Sequence, residues 1–401
     1  MNAFSLAAAS IRARALHAAL CVMACAAGFA LLSGIFLISQ SIGNSFLRNA
    51  EGIDVVVGAK GSPLQLVLAA VYHDDVPTGN IEAEDAAKVE HNPKVASVIP
   101  LALGDNYKGW RIVGTSPDYM SLYGATLADG NVFAQPFDAV AGALTQLKTG
   151  DTFAGVHGLS ADSDDVHNFH LYKITGVMKP TGTVLDRLIL TSVESVQELH
   201  RHPDAGDPDA AEELKIGHQV TALLIKVKSP VAIMNLPREI NKTSNMLAAN
   251  PGYEMARLSQ SLGFGRDLLT VLGACFIALS ALMLLSSLAS GLSARRYDLG
   301  VLRVLGASPL TLSLTVIAEG AILSAAGTVL GVFLGHGIAY AAATEIQSLR
   351  GLLLPSAMLA FQPADAALVV MGVLTGLAAG LVPALAAART DIAGLLARGR
   401  A

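Results

Sequence analysis

Four long apolar runs, three of them free of any charged residue, constrain this chain more than any other feature. A helix needs about 20 apolar residues to cross about 30 Å of hydrocarbon, and residues 16–42, 268–294, 308–342 and 366–388 each meet that length. The second run is bounded by Asp267 and Arg295 and the fourth by Asp365 and Arg389, while the third contains one carboxylate, Glu319. A carboxylate in lipid is costly, so Glu319 is expected to face another helix or water. The first run follows Arg12 and Arg14 and has small residues near Ala24 and Ala26, as a cleaved signal peptide would. Its uncharged length exceeds that of a signal core, which favours a retained span.

Charge is distributed to match. Residues 48–267 carry 18 Lys+Arg against 27 Asp+Glu, a net of −9, whereas the flanks carry 9 against 5, a net of +4. The chain is therefore expected to be an α+β membrane protein: four transmembrane helices with a large mixed α/β extracytoplasmic domain inserted between the first and second. The expected boundaries are 1–47 for the entry segment and first span, 48–267 for the inserted domain, 268–294 for the second span and 295–307 for a connecting helix. They continue with 308–342 for the third span, 343–365 for an external loop, 366–388 for the fourth span and 389–401 for the tail. Short-loop Lys and Arg set the orientation. Arg12 and Arg14, then Arg295, Arg296 and Arg303, then Arg389, Arg398 and Arg400 put three segments in the cytosol. The loop holding only Arg350 against Glu345 and Asp365 lies outside, and so does the inserted domain. Cys21, Cys25 and Cys275 all fall in spans, so the exported domain has no disulfide and needs an ordinary apolar core.

Within that domain, runs rich in β-branched residues predict strands at 53–57, 95–100, 111–115, 152–157, 172–178 and 220–227. Helices are expected at 82–90, 192–200 and 231–248, and weakly from Leu185, with 201–213 a solvated acidic loop. Eight of the ten histidines lie here. Asp162, Asp164, Asp165, His167 and His170, with His157 upstream and His200, His202 and Asp204 beyond, include residue types that bind zinc, and His157, Asp165, His167 and His170 are the candidate ligands. Their position in polar loops, without obvious supporting partners, favours a solvated acidic turn and no metal site.

Several chemistries are missing from the sequence. No G-x-x-x-x-G-K-[ST] occurs, and Gly58-Ala59-Lys60-Gly61-Ser62 lacks the required order. Gly263-Phe264-Gly265 has neither the preceding strand nor the third glycine of a dinucleotide site, and no hydrolase or zinc-protease signature is present. The chain is expected to be a non-catalytic membrane subunit that binds no cofactor itself.

The spans carry two glycine rows at four-residue spacing: Gly327, Gly331 and Gly335, and Gly372, Gly376 and Gly380. Such rows let helix backbones approach closely, in a bundle or at a dimer face. Apart from Glu319 and His336 the later spans have almost no polar lining, which fits a wide aqueous pore poorly. Residues 295–305 place Leu299, Leu302, Val304 and Leu305 against Arg295, Arg296, Asp298 and Arg303, an amphipathic helix stopped at Gly306, with Ser308 able to cap the next helix.

That segment, R-R-Y-D-L-G-V-L-R-V-L-G-A-S, resembles the coupling-helix signature of the MacB/FtsX-type permease family of ABC transporters. Glu319, the glycines after it, and Pro383-Ala384-Leu385-Ala386-Ala387-Ala388-Arg389-Thr390-Asp391 resemble the family's closing region, and residues 4–31 its first span. Val113-Gly114-Thr115 with Asp118-Tyr119, Gly150-Asp151-Thr152-Phe153 and the run from Tyr172 to Thr183 resemble its exported core; the inserts around Asp162 and Arg201 have no counterpart. The resemblance implies a bacterial inner-membrane permease with the 48–267 domain in the periplasm. It would pair with a second, usually identical, permease copy, with membrane lipid around it, and with a cytosolic ATPase that uses ATP and Mg. It implies mechanotransmission, in which ATP-driven closure of the ATPase moves the exported domains through the coupling helix. Arg295, Arg296, Tyr297, Asp298, Leu299, Leu302 and Arg303 would contact the ATPase, with Tyr297, Leu299 and Leu302 as apolar plugs. Glu319 would serve helix packing or relay. Export or extraction of a periplasmic or outer-leaflet substrate is favoured, with a possible periplasmic or outer-membrane partner and no nucleic acid. An FtsX-like regulator of cell-wall hydrolases, or a periplasmic metal-handling permease, is the alternative.

Overall fold

The computed structural model describes residues 2–158, 166–199, 219–346 and 353–389. The chain divides into a helical unit, residues 1–41 with 263–401, and an inserted unit, residues 42–262.

Among the described residues four helical segments are long and apolar enough to cross a membrane: Ala15–Ala50, Gly265–Ala294, Pro309–Glu345 and Pro355–Ala388. A short helix, Ala3–Ala13, precedes the first, capped by Asn2, whose side chain accepts from the Phe4 amide. The helix carrying the second span is longer than its apolar run, extending over Pro251–Ala294. The connecting helix spans Arg296–Val304. It stops where Gly306 adopts φ +96°, with the Gly306 amide on the Arg303 carbonyl and the Ala307 amide on the Leu302 carbonyl. Ser308 then caps Pro309–Glu345 by accepting from the Thr311 amide at 3.1 Å, with Pro309 in the first turn. Cys21 and Cys25 are buried and Cys275 exposed, all three as free thiols.

The inserted unit is mixed α/β. Its strands are β1 Val55–Ala59, β2 Ile81–Glu82, β3 Val95–Tyr107, β4 Trp110–Thr115, β5 Leu127–Gly130 and β6 Asp138–Ala141. They continue as β7 Thr152–His157, β8 Val166–Met178, β9 Leu188–Ser192, β10 Gln219–Val220, β11 Ala222–Val227 and β12 Met246–Ala249. Among the described residues the main sheet runs β12-β1-β11-β3-β4-β9-β6-β8-β5, with β7 bridging β3 and β8. Pairing is antiparallel except for β4 with β9 and β6 with β8. The long strand β3 joins two parts of this sheet. Its start pairs with β11 and its end with β4 and β7, and the register shifts between Leu103 and Asn106. Apolar cores lie around Val56, Leu101, Tyr119 and Leu190, around Leu223 and Leu236, and around Ile112, Phe153 and Tyr172.

Two expected helices are corrected. The run 231–248 is helical only as Pro230–Thr243; Ser244 is extended, and Met246–Ala249 is an edge strand paired with β1, Val56 opposite Ala249. The region from Leu185 is one 3-10 turn, Val184–Arg187, followed by β9 beside β4. In both places a fully buried strand reads as a continuous apolar run, which local periodicity cannot separate from helix.

Candidate functional site

Among the described residues of the helical unit, two clusters of polar side chains stand out. The first surrounds Glu319, which is only 7% exposed. Its Oε2 accepts from the Ser10 hydroxyl at 2.6 Å and lies 3.6 Å from Nη2 of Arg295. Arg295 is the residue that precedes Arg296–Val304, and its Nε also donates to the Gly291 carbonyl at 3.3 Å. Arg14 donates to the Ser287 carbonyl at 3.2 Å and lies against Gly291, where a Cβ would collide with its guanidinium. One buried carboxylate thus joins the N-terminal helix, the third span and the base of the connecting helix. Burial of a charge is tolerable because it is paired and hydrogen-bonded.

The connecting helix leaves an apolar stripe exposed. Tyr297, Val301, Val304 and Leu305 follow helical spacing, with Val304 64% and Leu305 77% exposed. Of the three expected plugs, Tyr297 is exposed and Leu299 and Leu302 are half-buried; Arg303 is half-buried too, and Asp298 is exposed. Of Arg296 only the helical backbone is described.

The glycine rows are used inside this chain. A Cβ on Gly327 would meet Val22 and Cys25, one on Gly331 would meet Ala26 and Phe29, and one on Gly335 would meet Ala30 and Ser33, all on the first span. Gly372 packs on Thr328, Gly376 on Gly320 and Ser324, and Gly380 on Ile317, all on the third. Ser324 Oγ donates to the Gly372 carbonyl at 2.6 Å across that contact. The second polar place is His336. Its Nδ1 donates to the Met358 carbonyl at 2.5 Å, and its Nε2 lies 3.2 Å from Oδ2 of Asp365, which also accepts from the Gln362 amide.

Within the inserted unit, hydroxyl and amide groups hold the end of helix Ala15–Ala50. The last carbonyls of a helix have no partner within it. The Tyr123 hydroxyl donates to one of these, the Asn49 carbonyl, at 2.7 Å, and the Tyr72 hydroxyl to the Phe46 carbonyl just before them at 3.0 Å. The Asn49 side chain accepts from the Val184 amide at 2.9 Å. Behind Tyr72, His73 is buried at φ +52° with Nε2 2.8 Å from the Tyr119 hydroxyl. Burial first, then the guanidinium groups of Arg111 and Arg187, hold His73 well below the usual histidine value. Burial also pushes Arg111 down to about 10 and raises the Tyr72 and Tyr123 hydroxyls. Nothing in the sequence pattern singled out this anchor, since its members are spread from Phe46 to Arg187.

The candidate metal ligands are not assembled by the described residues. His170 is half-buried and stacks on Phe137 at 4.7 Å. The backbones of His157 and His167 lie in β7 and β8, whereas Asp162, Asp164, Asp165, His200, His202 and Asp204 fall outside the described residues. Among the described residues no group of three His, Cys, Asp or Glu could hold a metal ion.

Comparison with known proteins follows this division of the chain. The MacB-like periplasmic core domain matches residues 18–243, and the FtsX-like permease C-terminal part matches residues 270–392. Among solved structures, the periplasmic region of MacB from Actinobacillus actinomycetemcomitans is 10% identical at a TM-score of 0.34, covering 53% of this chain and 97% of that one. The extracellular domain of the noncanonic ABC-type transporter YknZ from Gram-positive bacteria is 10% identical at 0.30, covering 49% and 99%. No curated protein matches the chain.

Proposed function

The chain belongs to the MacB/FtsX permease family of ABC transporters, and from that premise we propose that it converts ATP hydrolysis by a cytosolic partner into movement of its inserted domain. Its family is that of membrane permeases, generally non-catalytic, which work with ABC ATPases. In this reading the short helix Arg296–Val304 lies on the cytosolic side of a bacterial inner membrane. Its exposed stripe Tyr297, Val301, Val304 and Leu305 seats in the ATPase, and the domain of residues 42–262 stands in the periplasm. Export or extraction of a substrate there, by two copies of the chain acting together, is the task.

The observation that carries the proposal is the Arg295–Glu319–Ser10 linkage beside that stripe. An ATPase pushing a freely hinged loop would move only the loop. A base fixed to a buried carboxylate of the third span gives the push a rigid path into the bundle, and the glycine contacts leave little slack between first, third and fourth spans. The helix that carries the first span runs on to Ala50, and the tyrosine anchor holds that end within the inserted unit. Substrate need not pass between the spans.

Tagged chain purified from its native membrane tests this. Co-purification of an ABC ATPase whose turnover the chain alters is expected, together with an outer-membrane channel or lipoprotein if the task is export. An ATPase accompanied by a cell-wall hydrolase would replace export with hydrolase regulation, and recovery of no ATPase would overturn the proposal.

A further inference from the structure

A cleft of about 400 Å3 opens in the inserted unit where helix Ala15–Ala50 ends and helix Pro251–Ala294 begins, a volume within the range of small-ligand sites. Leu47, Arg48, Glu51, Asp54 and Asn250 line it. Two of these polar residues are consumed by the fold: Asp54 Oδ2 accepts from the Val227 amide at 2.8 Å, and Asn250 bridges the Asp54 carbonyl at 2.9 Å and the Tyr253 amide at 2.7 Å. Arg48 and Glu51 are not. Among the described residues neither side chain forms a hydrogen bond or ion pair, and the Arg48 Nε is buried without an acceptor. They stand three residues apart at the helix end, close enough to pair with each other, yet stay separate on the wall of one cleft.

Folding alone accounts poorly for this arrangement. A cation suits the last turn of a helix, but a carboxylate one residue past it opposes the negative end of the helix dipole. A buried guanidinium N–H without an acceptor is unfavourable as well. A ligand carrying an anion and an ammonium resolves both. Arg48 in the last turn and Glu51 just past it form no ion pair with each other, so the ligand's two charges must be separated as well. A phosphate and an amine joined by a two-carbon linker span such a gap better than the adjacent charges of an α-amino acid. Phosphate also suits the planar donor fork of arginine.

We propose that this cleft binds a phosphoethanolamine zwitterion, its phosphate against Arg48 and its ammonium against Glu51. Arg48 is the first charged residue after the apolar run of the first span, so either a free phosphoethanolamine compound or the headgroup of a membrane lipid can supply that chemistry, with exposed Leu47 beside it. Binding here does not depend on coupling to an ATPase.

The test uses the full chain in two settings. In dodecyl maltoside, calorimetry with glycerophosphoethanolamine should show saturable binding, about tenfold tighter than glycerophosphoglycerol, which has the phosphate without the amine. In nanodiscs of equal phosphatidylethanolamine and phosphatidylglycerol, native mass spectrometry should find the ethanolamine lipid retained. Binding in both settings supports a site open to free compound; retention in nanodiscs alone supports the lipid headgroup as the source. Arg48→Gln and Glu51→Gln should each weaken binding about tenfold. Glu51 is exposed, so its variant should keep the wild-type unfolding midpoint and still lose affinity. Absence of binding in both settings, equal binding of the amine-free probe, or either variant within twofold of wild type would overturn the proposal.

Discussion

Nη2 of Arg295 lies 3.6 Å from Oε2 of Glu319, and the same oxygen takes the Ser10 hydroxyl at 2.6 Å. Removing one partner of a buried pair leaves an uncompensated charge and costs about 3–5 kcal/mol, more than removing both. Arg295→Ala should therefore lower the unfolding midpoint of the purified chain clearly, and adding Glu319→Gln should recover part of the loss, since the amide can still accept from Ser10. A double variant less stable than Arg295→Ala, or a single variant as stable as wild type, would show that the pair carries no energetic weight.

Val304 and Leu305 are exposed, so Val304→Asp and Leu305→Asp should change stability by no more than about 0.5 kcal/mol. Either charge would have to be desolvated on docking, and co-purified ATPase together with ATPase stimulation should drop about tenfold or more. Leu302→Asp, on a half-buried residue, should damage the fold as well as the coupling. Wild-type ATPase stimulation by Val304→Asp and Leu305→Asp alike would place the docking surface elsewhere.

The spans, their glycine rows and the connecting helix were legible because each is written in a contiguous stretch of chain. Glu319 could be marked as needing a partner, but Ser10 lies 309 residues away and no spacing rule reaches it. On the connecting helix the sequence marks Tyr297, Leu299 and Leu302 as plugs and Val304 and Leu305 as part of the apolar stripe; Tyr297, Val301, Val304 and Leu305 are exposed, whereas Leu299 and Leu302 are half-buried. Strand Met246–Ala249 exists through its pairing with Val56–Ala59, which no local pattern announces. The His336–Asp365 contact has no local signature either: in sequence Asp365 reads as the boundary of a span, and its buried role depends on its packing against the third span, 29 residues away.

Gly376 and Gly320 bring two helix backbones together, and a Cβ on Gly376 would strike the Gly320 carbonyl and the Ser324 side chain. Overpacking of this kind costs about 1–3 kcal/mol, so even Gly376→Ala should destabilise the detergent-purified chain. Gly337, on the third span, has nothing within 4 Å of its would-be Cβ, and Gly337→Ala should be neutral or stabilising by up to about 1 kcal/mol. Equal unfolding midpoints for the two variants would mean that the helices separate easily at Gly376.

His73 gives the inserted unit an acid-sensitive point. Burial and two nearby guanidinium groups keep it neutral when folded, well below the ordinary value of 6.5 that it regains on unfolding. Below about pH 6.5 the unfolded chain binds a proton that the folded chain refuses, so stability falls as pH falls, by at most about 1.4 kcal/mol per pH unit from this group. Above that pH the group contributes no slope. His73→Asn keeps a residue that tolerates positive φ and removes the titration. The unfolding midpoint of the wild type should drop between pH 7.5 and 5.5 by more than that of the variant, while a variant with the same acid slope would move the sensitivity to other groups. The Asn should also cost some stability at pH 7.5, because the 2.8 Å contact with the Tyr119 hydroxyl is lost.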